Sequence, residues 1–161
     1  MSNTGEFSNT VKESNLIIKQ QDGNENILTC TILEFQDKII INLSLDGETD
    51  ISYDIQIPQQ NEFKRPYQID DLNNEVDNEL DNNDISSTST IVPIVLIGAG
   101  NNIKTQVLAS QIGKVMSEES NKNIILNISG RIFGNKDDEF HPNDSTVVKQ
   151  CIHIVTDTYI A

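Results

Sequence analysis

The segment 92–116 has the arrangement of residues most typical of a phosphate-binding site. An apolar, β-branched run ends at Gly98 and Gly100, and a helical pattern follows at once. A Walker loop needs a Gly-Lys-Ser/Thr sequence to hold phosphates, but Lys104 lies four residues after Gly100 without that context. A dinucleotide fingerprint would need a third glycine where this chain has Ile103. We therefore interpret the two glycines as supplying unusual backbone angles where a strand turns into a helix.

The two histidines are poorly placed for metal binding. His153 lies two residues after Cys151 on a predicted helix, and positions i and i+2 do not share a helix face. His141 lies in a polar loop, where Asp138 and Glu139 could complete a metal site, although a solvated histidine is the simpler interpretation. The sequence predicts no metal and no other cofactor.

The cysteines and the paired acids offer no catalytic group. Cys30 lies within an apolar strand pattern and Cys151 among apolar residues of a helix, so we expect two reduced, buried thiols with raised pKa values. The acidic pairs 70–71 and 137–138 lie in loops, where a glycosidase dyad would lack a rigid frame. The sequence therefore predicts a protein that is not an enzyme.

The composition favours protein partners over nucleic acids and membranes. The 161 residues suffice for one domain, and their net charge of -14 opposes binding to phosphate backbones and anionic lipid surfaces. The chain has no Trp and no run near the roughly 20 apolar residues of a membrane-spanning helix. Its polar N-terminus does not resemble a secretory signal, so we expect a location in the cytoplasm or the nucleus.

The first half of the chain is predicted to form an antiparallel β-meander. Residues 1–14 have few apolar groups to bury and are predicted to be disordered, ahead of a single domain over 15–161. An Asp-Gly pair at 46–47 supplies a tight turn before the last strand of the meander, which Pro58 ends. The predicted strands are 16–20, 26–35, 38–45 and 51–57.

An acidic stretch, about 59–90, separates the two halves of the domain. Between Gln68 and Asp84 it has seven acidic residues and no basic one. A disordered insertion is the simpler interpretation of this composition. A second interpretation stays open, in which an amphipathic helix forms on contact with a basic groove. It rests on apolar residues at helix-like intervals, namely Ile69, Leu72, Val76 and Leu80.

The second half of the chain alternates strands and helices. Apolar runs predict strands at 91–98 and 123–133, the latter with a β-bulge at Gly130. The last helix is predicted over 145–159. The predicted buried stripe of the first helix comprises Ile103, Val107, Leu108, Ile112, Val115 and Met116. The fold class is therefore α+β, in which an antiparallel meander precedes a strand-helix-strand-helix unit and one sheet carries two helices on one face.

Three strand segments are apolar on both of their faces, whereas a sheet with one wet face should alternate. They are 39–41, 95–97 and 124–126. Because two helices cover only one face, we expect the other face to meet a sheet of another subunit in a dimer. Candidate residues for this dimer interface lie on the strands 38–45 and 51–57, namely Ile40, Asn42, Tyr53 and Ile55.

The order of these elements resembles the proteasome assembly chaperone family, specifically its third-chaperone type. The segments NLIIKQ, NILTCTILEFQDKIIINLSLDGETDISYDIQI, PIVLIG and KNIILNISGRIF carry the resemblance, which covers roughly 15–57 and 91–160. The family's strand-ending turn matches Leu96-Ile97-Gly98 here. The fourth-chaperone type has a similar C-terminal half, so both types stay open. The acidic stretch is longer than the family leads us to expect.

The resemblance implies a binding function without catalysis. Members of this type act as dimers, either of one chain or, in fungi, with a paralogous chaperone. They bind α-type subunits of the proteasome core particle, the fifth in particular, while the α ring is built, and they leave before maturation. A second possibility is a small α+β dimeric scaffold of the roadblock or longin type in a GTPase or trafficking complex. Candidates for contact with the α-type subunit lie in the loop 133–143, namely Asp137, Asp138, Glu139 and Phe140.

Overall fold

The fold is one six-stranded sheet with two helices packed on one of its faces. The computed structural model describes residues 10–20, 22–59, 90–134 and 139–161. The predicted α+β class is confirmed. The strands are β1 (Val11–Lys19), β2 (Glu25–Glu34), β3 (Lys38–Leu45), β4 (Ile51–Ile55), β5 (Ile94–Ile97) and β6 (Asn123–Ile128), and the helices are α1 (Ile103–Glu119) and α2 (Asp144–Ile160).

The sheet departs from a simple meander at its centre. Its strand order is β1-β2-β3-β6-β4-β5, and β6 pairs parallel to β3 and antiparallel to β4. The predicted Asp46-Gly47 turn does form, with φ angles of 50° and 83°. Beyond one bridge, between Leu45 and Glu48, β3 and β4 separate and β6 lies between them. The predicted pairing of β3 with β4 is therefore wrong, because β6, whose inward residues are apolar and buried, lies between them.

The core lies between the helices and the inner face, which is the sheet face turned toward them. Alternate residues of the central strands point inward and are fully buried, as the period of two in a strand requires. From α1, Leu108, Ile112 and Met116 pack against this layer, and α2 adds Val147 and Val155. Within the described residues, no helix is long and apolar enough to cross a membrane.

The first turns of α1 are rotated relative to the predicted stripe. Leu108, Ile112 and Met116 are buried as expected, but Ile103 and Val107 are exposed. Lys104 is buried instead, because its ammonium group pairs with the buried carboxylate of Asp144 in α2, with 3.0 Å between Nζ and Oδ2. The buried side of α1 is thus shifted from the predicted stripe toward Thr105 and Ala109, which are fully buried.

Two strand boundaries also differ from the sequence patterns. β1 begins at Val11 rather than at residue 16, because its polar outward positions remain paired with β2 over the whole length. β6 ends at Ile128, and 130–133 form turns rather than a bulged strand. The predicted disorder of the first nine residues and of most of the acidic stretch falls outside the described residues.

The cysteines are part of the core. Cys30 on β2 and Cys151 on α2 are both fully buried. Burial raises the pKa of Cys30 to about 11, against a smaller lowering by its hydrogen bond with Thr158. Burial also raises the pKa of Cys151 to about 12, and the neighbouring Cys30 adds to this increase. Both thiols are therefore protonated and protected at neutral pH, as the sequence predicted.

The end of β5 depends on the absence of a side chain at Gly98. Its φ angle is +97°, and a Cβ atom would lie 2.4 Å from the carbonyl oxygen of Asp50. Gly98→Ala should lower the free energy of unfolding by about 2–3 kcal/mol, measured by urea denaturation. Gly23→Ala is the matched control, since its φ is +80° with no atom within 4 Å of the new Cβ, and it should cost about 1 kcal/mol. Equal losses in the two variants would show that the close approach to Asp50 is unimportant.

The thiols provide a second test of this core. Alkylation of native protein by iodoacetamide at pH 8 should be at least about 100-fold slower than in urea, because few thiolates form when the pKa is raised. The folded state holds the thiol protons more tightly than the unfolded state does. The free energy of unfolding should consequently fall as the pH rises from about 9, the unfolded value, through about 11 and 12. Fast labelling of either cysteine in the native protein would contradict this arrangement.

Candidate functional site

The strand–glycine–helix segment is organised by contacts within the chain. The side chain of Asn102 caps α1 by accepting a hydrogen bond from the Thr105 amide at 3.1 Å, and its carbonyl accepts from the Gln106 amide. Without this cap the Thr105 amide would be available to an anion, whereas the bond from Gln106 to the Asn102 backbone carbonyl is a regular bond of the helix. Gly98 has the predicted unusual backbone angle, whereas Gly100 does not have a positive φ, so the prediction was wrong for Gly100. The segment therefore has a structural role, which is to connect β5 to α1.

The histidines do not form a metal cluster in the part of the chain that the structure describes. His153 is exposed and lies 3.1 Å from Asp157, one helical turn away. The backbone amide of His141 donates to Asp144 Oδ2 at 2.8 Å. Among the described residues, no group of three or more metal-binding side chains comes together. Asp138, which the sequence grouped with His141 and Glu139, lies outside the described residues.

The outer face of the sheet, which points away from the helices, carries a mainly apolar row. The register places six outward side chains side by side across all six strands. Ile40 and Ile125 at the centre are half-buried by their neighbours, and Ile94 at the edge is 54% exposed. A carboxylate, Asp54, interrupts the row. In order from β1 to β5, the apolar row is Val11, Leu33, Ile40, Ile125, Asp54 and Ile94.

The neighbouring row of the outer face is polar, and its side chains bond to one another. Ser52 Oγ donates to Asn127 Oδ1 at 2.5 Å, and Asn127 Nδ2 donates to Asn42 Oδ1 at 2.6 Å. Toward β1, Thr31 Oγ1 donates to the carboxylate of Glu13 at 3.2 Å. The polar row therefore meets much of its hydrogen-bonding need within the sheet. The expectation of an apolar outer face therefore holds for most of the first row, which Asp54 interrupts, and not for the second row.

Two of the four predicted interface residues lie on the wrong face for that role. Tyr53 and Ile55 are fully buried on the inner face, because odd positions of β4 point toward α1. The Tyr53 hydroxyl bonds to Thr105 of α1 at 2.7 Å, and burial raises its pKa. Ile40 and Asn42 do lie on the outer face, one in each row, and they remain interface candidates.

The edge strand β5 adds exposed apolar surface, which its residue pattern did not predict. The segment 95–97 was expected to be covered on both faces, but Leu96 is 53% and Ile97 is 66% exposed. A β-bulge between β4 and β5 accompanies this change, since one extra residue of β5, Leu96, lies between Val95 and Ile97, the partners of Tyr53 and Ser52. The signal for an edge position was Pro93 directly before the strand, because proline is tolerated mainly at sheet edges.

A cleft of about 660 Å³ lies on the opposite side of the molecule, between α1, α2 and the segment 139–142. We call it the helix-side cleft. Apolar side chains form most of its wall, and the buried pair of Lys104 and Asp144 belongs to its lining. The apolar lining residues are Val107, Phe133, Phe140, Pro142 and Val148.

The predicted partner-binding loop is only partly described. Phe140 is 67% exposed, and its ring centroid lies 5.9 Å from Lys104 Nζ, within the range of a cation–π contact. Glu139 beside it is exposed as well. Asp137 and Asp138 lie outside the described residues, so the loop remains a prediction that rests on Glu139 and Phe140. The cleft itself was missed, because it depends on the rotation of α1, which residue spacing does not reveal.

Comparisons with known proteins agree with this architecture. The family model described as 20S proteasome chaperone assembly proteins 3 and 4 matches residues 1–156. A solved chain from a crystal structure of a chaperone complex for yeast 20S proteasome assembly shares the fold, with a TM-score of 0.58 and 14% sequence identity. The alignment covers 93% of this chain and 98% of the yeast-complex chain. A search of curated proteins found no match.

The family match includes both halves of the sheet, both helices up to residue 156, and the acidic stretch between the halves. It therefore covers the elements that carried the resemblance seen in the sequence. The family match does not favour the alternative prediction, a scaffold of the roadblock or longin type. This chain belongs to the family of 20S proteasome chaperone assembly proteins 3 and 4, and it is a chaperone of proteasome assembly.

Proposed function

We propose that this chain pairs with a second chaperone through the outer face, and that the pair binds an α-type proteasome subunit while the α ring is built. The observation that carries this proposal is the apolar row, which the residues described by the structure leave uncovered. Release before maturation follows when arriving subunits compete for the same surface. The resemblance points to the fifth α-type subunit, and we place this work in the cytoplasm or nucleus, without enzymatic activity.

The apolar row supports a stable pairing rather than a surface that stays in water. Side chains such as Val11 and Ile94 expose more than half of their area, and Ile17 and Ile27 form another exposed pair across β1 and β2. Contiguous apolar surface of this kind is unusual on a monomer and typical of protein interfaces. Covering it with the sheet of a partner would bury each side chain at a gain of roughly 25 cal/mol per Å².

The polar row does not prevent this burial. A polar group is costly to bury mainly when it loses its hydrogen bonds to water and gains none. Asn127 already donates to Asn42 and accepts from Ser52, so a covering sheet would find this amide largely satisfied. The polar row instead favours one alignment of the two sheets, since a shift would place apolar side chains over amides.

The charges of the outer face favour a different chain over a second copy as the partner. Glu13 and Asp54 are the charged residues of the two rows, and neither row contains a basic residue. Within these two rows, two copies face to face would bring four carboxylates together and no basic residue, at a cost in repulsion and desolvation. A paralogous chaperone with basic residues facing these acids would avoid that cost. The similar solved chain comes from a chaperone complex, which supports this choice.

Affinity purification from the organism's own cells at low salt tests the whole proposal. We expect a second chaperone and α-type subunits to be retained, and mature proteasomes to be absent. Sedimentation of the chain purified alone should show no stable homodimer at micromolar concentration, because of its carboxylates. Retention of a GTPase or trafficking complex instead of α-type subunits would refute the function. A tight homodimer would refute the choice of partner.

A substitution in the apolar row tests the interface directly. Ile40→Asp places an unpaired charge at the centre of the row and should weaken binding of the chaperone partner by at least about 30-fold. Ile160→Asp is the control, since Ile160 is 64% exposed at the end of α2, away from the outer face, and binding should not change. Isothermal titration measures both, and circular dichroism checks folding. Unchanged affinity in a folded Ile40→Asp variant would exclude the outer face.

A further inference from the structure

The helix-side cleft is a second binding surface, separate from the outer face of the sheet. We propose that it docks a segment of the α-type subunit that presents one large apolar side chain next to a carboxylate. This inference rests on the proposed function and names the surface and the chemistry by which the subunit is recognised. The sheet lies between the cleft and the outer face, so a chaperone partner and a subunit can be bound together.

The apolar half of this recognition comes from side chains that folding leaves open. Val107 is 41% exposed and Phe140 is 67% exposed, and both line the cleft opposite the better-buried Phe133 and Val148. A cleft of about 660 Å³ with apolar walls and a few polar groups has the dimensions of a protein's ligand sites. A single bulky side chain, leucine-sized or aromatic, would cover these groups and remove their area from water.

The lining also contains a buried carboxylate that can accept a further hydrogen bond. Asp144 is 5% exposed, and its Oδ2 atom accepts from Lys104 Nζ and from the His141 amide. The other oxygen, Oδ1, is buried and has no hydrogen-bond partner in the described part of the chain. A buried carboxylate oxygen without a donor is costly, and nearly all such atoms find one. A backbone N–H of a docked segment would supply the missing donor.

The charge of the cleft lining favours a docked segment that carries a carboxylate. Lys104 and Lys149 both line the cleft, whereas Asp144, the acidic lining residue, is already paired with Lys104. Lys149 is exposed and forms no ion pair within the described residues. Glu139 is exposed on the adjoining segment but is not part of the lining. Among the described lining residues, positive charge therefore exceeds negative charge, in a chain of net charge -14, which favours an acidic occupant.

Charge reversal at Lys149 is the decisive experiment. The probes are the α-type subunits, each tested singly against the complete chaperone pair by isothermal titration. Lys149→Glu should weaken binding of the cognate subunit at least about 10-fold, since it turns an attraction into a repulsion. Lys114→Glu is the matched control, because Lys114 is an exposed lysine of α1 outside the cleft, and affinity should stay within about twofold. Unchanged or tighter binding by Lys149→Glu would overturn the proposal.

The apolar contact is tested in the same assay. Val107→Ser and Phe140→Ser change exposed side chains, so both variants should fold, and each should weaken subunit binding at least about 5-fold. Binding of the chaperone partner through the outer face should be unaffected by all of these variants. Loss of that binding as well would point to general damage, and the cleft would then lose its support as a separate site.

The remaining outcomes separate this inference from the function on which it rests. If no α-type subunit binds the wild-type pair, the proposed function fails and the cleft inference fails with it. If a subunit binds and the cleft variants bind equally well, only the cleft inference fails. A synthetic peptide of residues 68–84 is the rival probe, because this acidic stretch has apolar residues of its own. If that peptide requires Lys149 and the subunits do not, the cleft serves the chain itself and the proposal is overturned.

Discussion

The insertion of β6 between β3 and β4 is the constraint on which the other features depend. β6 pairs along both of its edges and its inward residues are buried, so it lies in the interior of the sheet. Because β6 runs parallel to β3 and to β5, the chain must cross the sheet from β5 to β6, and α1 provides that crossing. With α2 beside α1 on the same face, no element among the described residues covers the opposite face.

The sequence predicted those parts of the fold that depend on local pattern. Alternation along β4 and the Asp46-Gly47 turn were visible in the residues, and so was the apolar character of β6. The neighbours of β6 were not visible, because pairing of strands distant in sequence depends on the packing of the whole sheet. For the same reason Tyr53 was wrongly predicted to point outward. A shift of one residue in strand register moves every side chain of a strand to the opposite face.

The buried ion pair between Lys104 and Asp144 lies at a position of the helix layer where residue spacing predicts apolar contacts. Two charges that are 6% exposed gain little net stability, because desolvation offsets most of their attraction. They do fix geometry, since separating them would leave a buried charge without a counter-charge. Val107 lies one turn after Lys104 on the same side of α1, and both line the cleft together with Phe140. Residue spacing on α1 would have buried Val107, so a pattern-based reading could not find this surface.

The two surfaces differ in the way that their proposed partners require. The outer face offers a row of apolar side chains across six strands, together with amides that are already paired, which suits a partner that stays bound. The helix-side cleft offers a few exposed side chains and two lysines, and affinity that depends on a few anchors is lost when a competitor covers them. A chaperone has to release its subunit without falling apart itself. In the proposed arrangement the stable contact lies on the sheet and the transient one on the helices, so the subunit would leave the cleft while the chaperone pair remains intact.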